Sequence, residues 1–306
     1  MPLVSVIVPT YQRPDLVVQA VRSVLGQTMG DLEVIVVVDG LDDETVSALG
    51  TVEDTRLRVL VPPRNLGNAA ARNYGIATAT GDWVALLDDD DYWMPDKLER
   101  QLAAAGGARR DLPMITARVI ARGEDFEYVW PRRLPGEGEP LCEYIFCRRR
   151  PATGEGVVHP STVLVPRRLF DLVPFDEDIP RYVDLDWMLR VGQLQELEVV
   201  FAGDEPLTVI SIDEHRTRIS NASDWHYDVD WALQHAHMMT PRAHAAYLLT
   251  LASIRARRAN DPAAFWPILK MALRTGPVSA GELAFHVGNR IFPSWLRHRL
   301  TAPRRI

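Results

Sequence analysis

Residues 83–98 read "WVALLDDDDYWMPDKL", an apolar run that ends on four consecutive aspartates, Asp88 to Asp91. Val84 to Leu87 suit a buried strand, so the carboxylates fall where that strand ends. Crowded like charges repel and gain nothing from packing. Two explanations compete: a solvated acidic loop, or oxygen ligands for a hard divalent cation such as Mg2+ or Mn2+. In an extended chain Asp88 and Asp90 point one way and Asp89 the other, so adjacent aspartates cannot all face one ion.

Working outward, three more strands precede this one: "LVSVIVPT" (3–10), "LEVIVVVDG" (32–40) and "RLRVLVPP" (56–63). Helical spacing of Leu16, Val17, Ala20, Val21, Val24 and Leu25 marks residues 13–27 as amphipathic. A short helix fits 41–50, and an alanine-rich one fits 67–81, with Asn68 as its cap and Gly81 as its end. Pro95, Asp96 and Glu99 favour a helix start after the acidic tip. Alternating buried strands and helices predict a mostly parallel sheet covered on both faces, with a ligand crevice beyond the strands' carboxyl ends. Thr10, Tyr11, Asp39 and the aspartates gather there.

Further on, "ITARVIAR" and "FEYVW" suggest a hairpin, "STVLV" a strand, "DLDWMLRVGQL" a helix and "LEVVFAGDEPLTVISI" one or two strands. Beyond "HRTRISN" the pattern is helical. The expected division is residues 1–221, with a nucleotide-binding half (1–110) and an acceptor-binding half (111–221), followed by a packed helical region, 222–306. The late tryptophans Trp225, Trp231, Trp266 and Trp295 read as core anchors.

Composition narrows the function. A formal net charge of −7 does not suit nucleic acid as a partner. The chain carries no "GxxxxGK[ST]" and no G-x-G-x-x-G after its first strand, which weakens kinase, ATPase and dinucleotide-oxidoreductase readings. Cys142 and Cys147 have no partner pair for a zinc site and read as buried, inert thiols. No stretch reaches the roughly 18 apolar residues that span a bilayer, and "MPLVSVIVPTYQRP" lacks the features of a secretory signal. The expectation is a cytoplasmic, non-processive protein, with peripheral contact at the inner face of the membrane left open.

The pieces "VSVIVPTYQRPDLVVQAVRSVLGQT", "LEVIVVVDG", "NLGNAAARNYGIATATGDWVALLDDDDYWMPDKLE", "STVLVPRRLFDLVPFDE" and "DLDWMLR", in this order over residues 3–190, resemble family 2 glycosyltransferases. The resemblance implies an α/β GT-A nucleotide-diphospho-sugar transferase fold, with a mixed, mostly parallel central sheet and a C-terminal helical extension. It implies a hexosyltransferase-like enzyme that moves a sugar from a nucleotide-diphosphate donor to an acceptor hydroxyl or amine, inverting the anomeric carbon. The expected cofactor is Mn2+ or Mg2+, and the expected acceptor a glycan, a lipid-linked glycan or a small molecule. A homodimer through the C-terminal helices is one expected use of that region. The alternatives are a nucleotide-sugar-binding scaffold without transfer activity and a sugar-phosphate nucleotidyltransferase.

Carried over residue by residue, the resemblance assigns Pro9, Thr10, Tyr11, Asp39, Asn68, Arg72, Asp88 and Asp89 to the nucleotide. It assigns Asp90 and His215 to the metal, Asp184 to the catalytic base, and Asp186 and His159 to acceptor contact or support. Each has a plainer alternative: edge packing for Tyr11, a turn cap for Asp39, helix caps for Asn68 and Asp184, a surface ion pair for Arg72. His215 reads otherwise as an exposed turn, His159 as a local hydrogen-bonding group, and Asp91 as a loop support or helix cap. Two departures from the family pattern stand out. Val38 and Val183 occupy positions where relatives often carry an acid.

Overall fold

β1 (Val4–Thr10) and β2 (Leu32–Val38) are almost wholly buried, which explains why they read as continuous apolar runs and not as alternating ones. They pair in parallel, Val4 opposite Leu32 through Thr10 opposite Val38. β3 (Leu57–Leu60) joins β2 and β4 (Trp83–Leu86) joins β1, both in parallel. The strand order β3-β2-β1-β4 reverses direction between β1 and β4. In open α/β sheets ligands bind beyond the carboxyl ends of the strands at such a reversal, and Thr10 and the four aspartates lie at those ends.

The computed structural model describes residues 2–124, 126–150, 154–212 and 224–291. Among them one mixed sheet has nine strands. β8 (Leu164–Pro166) runs antiparallel to β4 and to β6 (Leu112–Arg122), and β9 (Leu197–Ser211) runs parallel to β6. β5 (Tyr92–Trp93) pairs antiparallel with β9, and β7 (Glu127–Trp130) pairs with β6. Helix α1 (Pro14–Leu25) buries Val17, Ala20, Val21 and Val24, the stripe its sequence spacing dictates. The other helices of this part are α2 (Asp43–Leu49), α3 (Asn68–Ala77), α4 (Lys97–Ala105), α6 (Arg168–Leu172) and α7 (Val183–Val191), in an order that α5 (Leu141–Phe146) interrupts.

The chain divides into two compact units. The first comprises Met1–Val129, Val158–Trp187 and Leu194–Glu214; the second Trp130–Val157, Met188–Gln193 and His215–Ile306. The expected division at 221/222 follows the change to a helical pattern, whereas the second unit also takes in two earlier segments. Its helices are α5, α8 (Trp225–Gln234), α9 (Pro241–Tyr247), α10 (Ser253–Arg258), α11 (Phe265–Thr275) and α12 (Ala280–Ile291), and one π-helical turn, Leu248–Ala252, links α9 to α10. Trp231 and Tyr247 stack in its core, while Trp266 is 63% exposed and is no core anchor. Trp295 lies outside the described residues. No helix among them is long and apolar enough to cross a membrane.

Three local expectations changed. Ser161 and Thr162 form a 3-10 turn (Pro160–Thr162) and not a strand start, because the Thr162 and Val163 N–H groups turn back to the His159 and Pro160 carbonyls, each at 2.9 Å. Tyr92–Trp93 is a strand too short for periodicity to reveal. Asn68 is the first helical residue of α3; the cap position belongs to Gly67, whose φ of 87° suits glycine. The two cysteines are free and buried, and burial raises both thiol pKa values, Cys147 to about 12.

A candidate metal and nucleotide site at the end of β4

The acidic tip is a turn, not an extended strand. Leu87 still donates to Ile7 O, and the chain then folds back so that Asp91 N–H reaches Asp88 O at 3.1 Å. Alternation therefore stops at Asp88, and residues three apart come together. The carboxylates part ways. Asp89 is buried and turns inward, accepting from Thr10 Oγ1 and from Arg13 Nη1, each at 2.8 Å. Asp90 lies 3.9 Å from the same arginine. Asp88 accepts from Arg72 Nη2 at 2.7 Å, and Asp91 from Ser161 Oγ at 2.6 Å.

Among the described residues, Asp88, Asp91 and His159 converge. One donor atom from each lies within 4.8 Å of the others. Two carboxylates and an imidazole form a donor set suited to Mn2+ or Mg2+. The electrostatics agree. Burial raises the Asp91 pKa well above the carboxylate range, and the charges of Asp88 and Asp90 add to it. Burial pushes the His159 imidazole down, toward the neutral form that ligates metals, although Asp88, Asp184 and Asp90 pull it up. A cation placed among these groups relieves the repulsion, so the residues present fit a divalent ion. Burial likewise raises Asp89, against Arg13 and Thr10, to about 6.

Arg72 joins this turn to Asp184. Its guanidinium is 1% exposed. One terminal nitrogen donates to Asp88 Oδ1, the other to Asp184 Oδ1 at the start of α7. Burial opposes its charge, but Asp184 and Asp88 outweigh that and hold its pKa above the usual arginine value. Its Nε is buried with no hydrogen-bond partner among the described residues. Asp184 itself is 37% exposed at its side chain.

The remaining expected residues scatter around this centre. Asp39, at the end of β2, is 5% exposed; its two oxygens accept from Leu66 N–H at 2.6 Å and Gly67 N–H at 2.9 Å. It thus shapes the loop that leads into α3, while each oxygen keeps a second lone pair. Pro9 is half-buried, Thr10 buried, Tyr11 50% exposed and Asn68 exposed. Asp186 is buried and starts the α7 ladder, donating its N–H to Tyr182 O. His215 lies outside the described residues. Sequence reasoning gave Asp91 a supporting role and left out Arg13, Ser161 and Lys97. The missed signal for Asp91 was the i,i+3 spacing from Asp88 in a turn. Lys97 is wholly buried, its Nζ 3.7 Å from the Trp93 ring centre and 2.6 Å from Gln101 Oε1; nothing in its sequence context marks it.

Comparison with known proteins gives the family and the fold. The model of "Glycosyl transferase family 2" matches residues 5–173. An uncharacterized glycosyltransferase of Haemophilus influenzae is 38% identical over 104 residues, 33% of this chain and 42% of that protein. The amylovoran biosynthesis glycosyltransferase AmsB of Erwinia amylovora is 30% identical over 204 residues, 62% of this chain and 64% of its own length. In both, the chain spans less than two thirds of the relative. Among solved structures, S. aureus TarS with UDP-GlcNAc superposes with a TM-score of 0.59 at 18% identity, covering 95% of this chain and 89% of that one. A Pyrobaculum calidifontis mannosyltransferase, PcManGT, with GDP-Man and Mn2+ gives 0.55 at 19%, covering 94% and 87%. Likeness at such identities speaks for the fold, which is the GT-A arrangement expected from the sequence.

Proposed function

Because the chain belongs to glycosyl transferase family 2, we propose that it transfers a sugar from a nucleotide-diphosphate donor to an acceptor hydroxyl or amine, inverting the anomeric carbon. The observation that carries this reading is the meeting of Asp88, Asp91 and His159 on one side of Arg72 with Asp184 on the other. The solved relatives with UDP-GlcNAc, and with GDP-Man and Mn2+, support the donor class.

Asp88, Asp91 and His159 would hold Mn2+ or Mg2+, which when bound neutralises the diphosphate and makes it a better leaving group. Asp184 accepts the proton of the attacking hydroxyl or amine. Arg72 aims that carboxylate through the hydrogen bond it donates to Asp184 Oδ1. Attack from the face opposite the nucleotide inverts the anomeric centre in one displacement. Tyr11 offers an exposed ring edge to the base. Asp39 holds the loop before α3 and keeps acceptor capacity for a ring N–H.

The test is a panel of UDP-, GDP- and TDP-sugars assayed with Mn2+, with Mg2+ and with EDTA. Release of nucleoside diphosphate should need the ion. Asp184→Asn should keep donor binding and lose transfer by about 100-fold or more. A purified Asp184→Asn protein that transfers at the normal rate would remove Asp184 as base. Pyrophosphate release from a nucleoside triphosphate would move the chain to nucleotidyl transfer.

A further inference from the structure

Ser161 is fully buried, and each of its polar groups is engaged beneath the acidic turn. Its hydroxyl donates to Asp91 Oδ2 at 2.6 Å and accepts the Asp88 backbone N–H at 3.1 Å. Its own N–H faces His159 Nδ1 at 3.3 Å. One serine therefore touches all three residues of the converging donor set, which come from two distant stretches of chain.

The serine is itself held from the other side. Its carbonyl accepts from Trp93 Nε1 at 2.7 Å and from Thr208 Oγ1 at 3.4 Å. Trp93 and Thr208 are register partners in β5 and β9, so the serine is anchored to the sheet edge that follows the turn. The carbonyl of the next residue, Thr162, accepts from Gln101 Nε2 at 2.7 Å. A surface hydroxyl that merely filled a hydrogen-bond vacancy would not need this backing.

We infer that Ser161 is the positioning residue of the metal site: it presets the separation of Asp88, Asp91 and His159 before the ion arrives. This rests on the metal reading proposed above. Its physical content is that outer partners orient ligands and lower the cost of gathering like charges, so that losing one weakens metal binding about 10- to 100-fold. The serine is fully buried and acts through the ligands it holds. Its loss should raise the metal concentration needed for half-maximal rate and leave the rate at saturating metal within a few-fold.

The experiment is a titration of free Mn2+ by electron paramagnetic resonance, on the full chain without donor. Ser161→Ala keeps the backbone contacts and deletes only the two hydroxyl bonds. Its Mn2+ dissociation constant should rise about 10-fold or more, with a thermal unfolding midpoint close to wild type. Equal Mn2+ affinity in the folded Ser161→Ala protein overturns the inference and leaves the transferase reading intact. Failure of the wild type to bind Mn2+ overturns both. Should Ser161→Ala not fold, Ser161→Cys keeps a weaker and somewhat larger donor at the same place, and the same titration decides.

Discussion

Arg72 carries a charge with almost no exposed surface, between two carboxylates that would otherwise face each other. Breaking such a buried set from one side costs about 3–5 kcal/mol, because charges are left uncompensated. Lysine has no planar fork with two separate nitrogens to reach the two acids in this geometry. Arg72→Lys should therefore lower the urea midpoint and reduce transfer more than donor binding, checked by chemical unfolding and by nucleotide titration. Glu33, at the opposite end of the sheet, makes a different case. Burial works to raise its pKa, but hydrogen bonds from Thr80, Ser5 and Arg58 outweigh this and bring it from 4.5 down to about 2. The folded state thus favours the carboxylate. That stability is full above the unfolded pKa near 4.5 and is lost as pH falls toward 2. Glu33→Gln should flatten the urea midpoint between those two pH values, where the wild type declines.

At the scale of elements, α3 decides where Arg72 sits. Gly75 faces the sheet, and a Cβ there would meet Ile7 Cγ2 at 2.8 Å and Val37 Cγ2 at 3.1 Å. Both methyls branch from the β-carbon of buried strands and have no room to swing. Alanine improves helix propensity by about 1 kcal/mol, yet overpacking of this kind costs about 1–3 kcal/mol. Gly75→Ala should lower the thermal midpoint and, by lifting α3 off β1 and β2, weaken Mn2+ binding as well; calorimetry and metal titration check the two parts. The same element shows what periodicity can and cannot reveal. The helix was legible from its alanines and the strands from their apolar runs. The turn at Asp88–Asp91 was not, since an unbroken aspartate run reads alike in a strand or a turn. Its conformation follows from the backbone hydrogen bond between Asp91 and Asp88 and from the pairing of Tyr92–Trp93 with β9, more than a hundred residues away in sequence.

For the molecule as a whole, the proposed ligands all belong to the first unit and are gathered only when its sheet is complete. A ligand that binds only the folded state stabilises it by mass action. Mn2+ at about 100 times its dissociation constant should add about 2.7 kcal/mol. The shift should vanish in Asp91→Asn, and differential scanning calorimetry with and without EDTA measures it. From residue types alone came the α/β class, the crevice beyond β1 and β4, and the acidic tip as its chemical centre. These depend on local periodicity and on where a buried strand must stop. The ligand set, the Arg72 clamp on Asp184 and the serine under the turn were decided by tertiary structure. His159 and Ser161 lie about seventy residues from the aspartates they meet. No local pattern records such a distance, because sheet order and not chain order brings β4, β8 and β9 to one edge of the crevice.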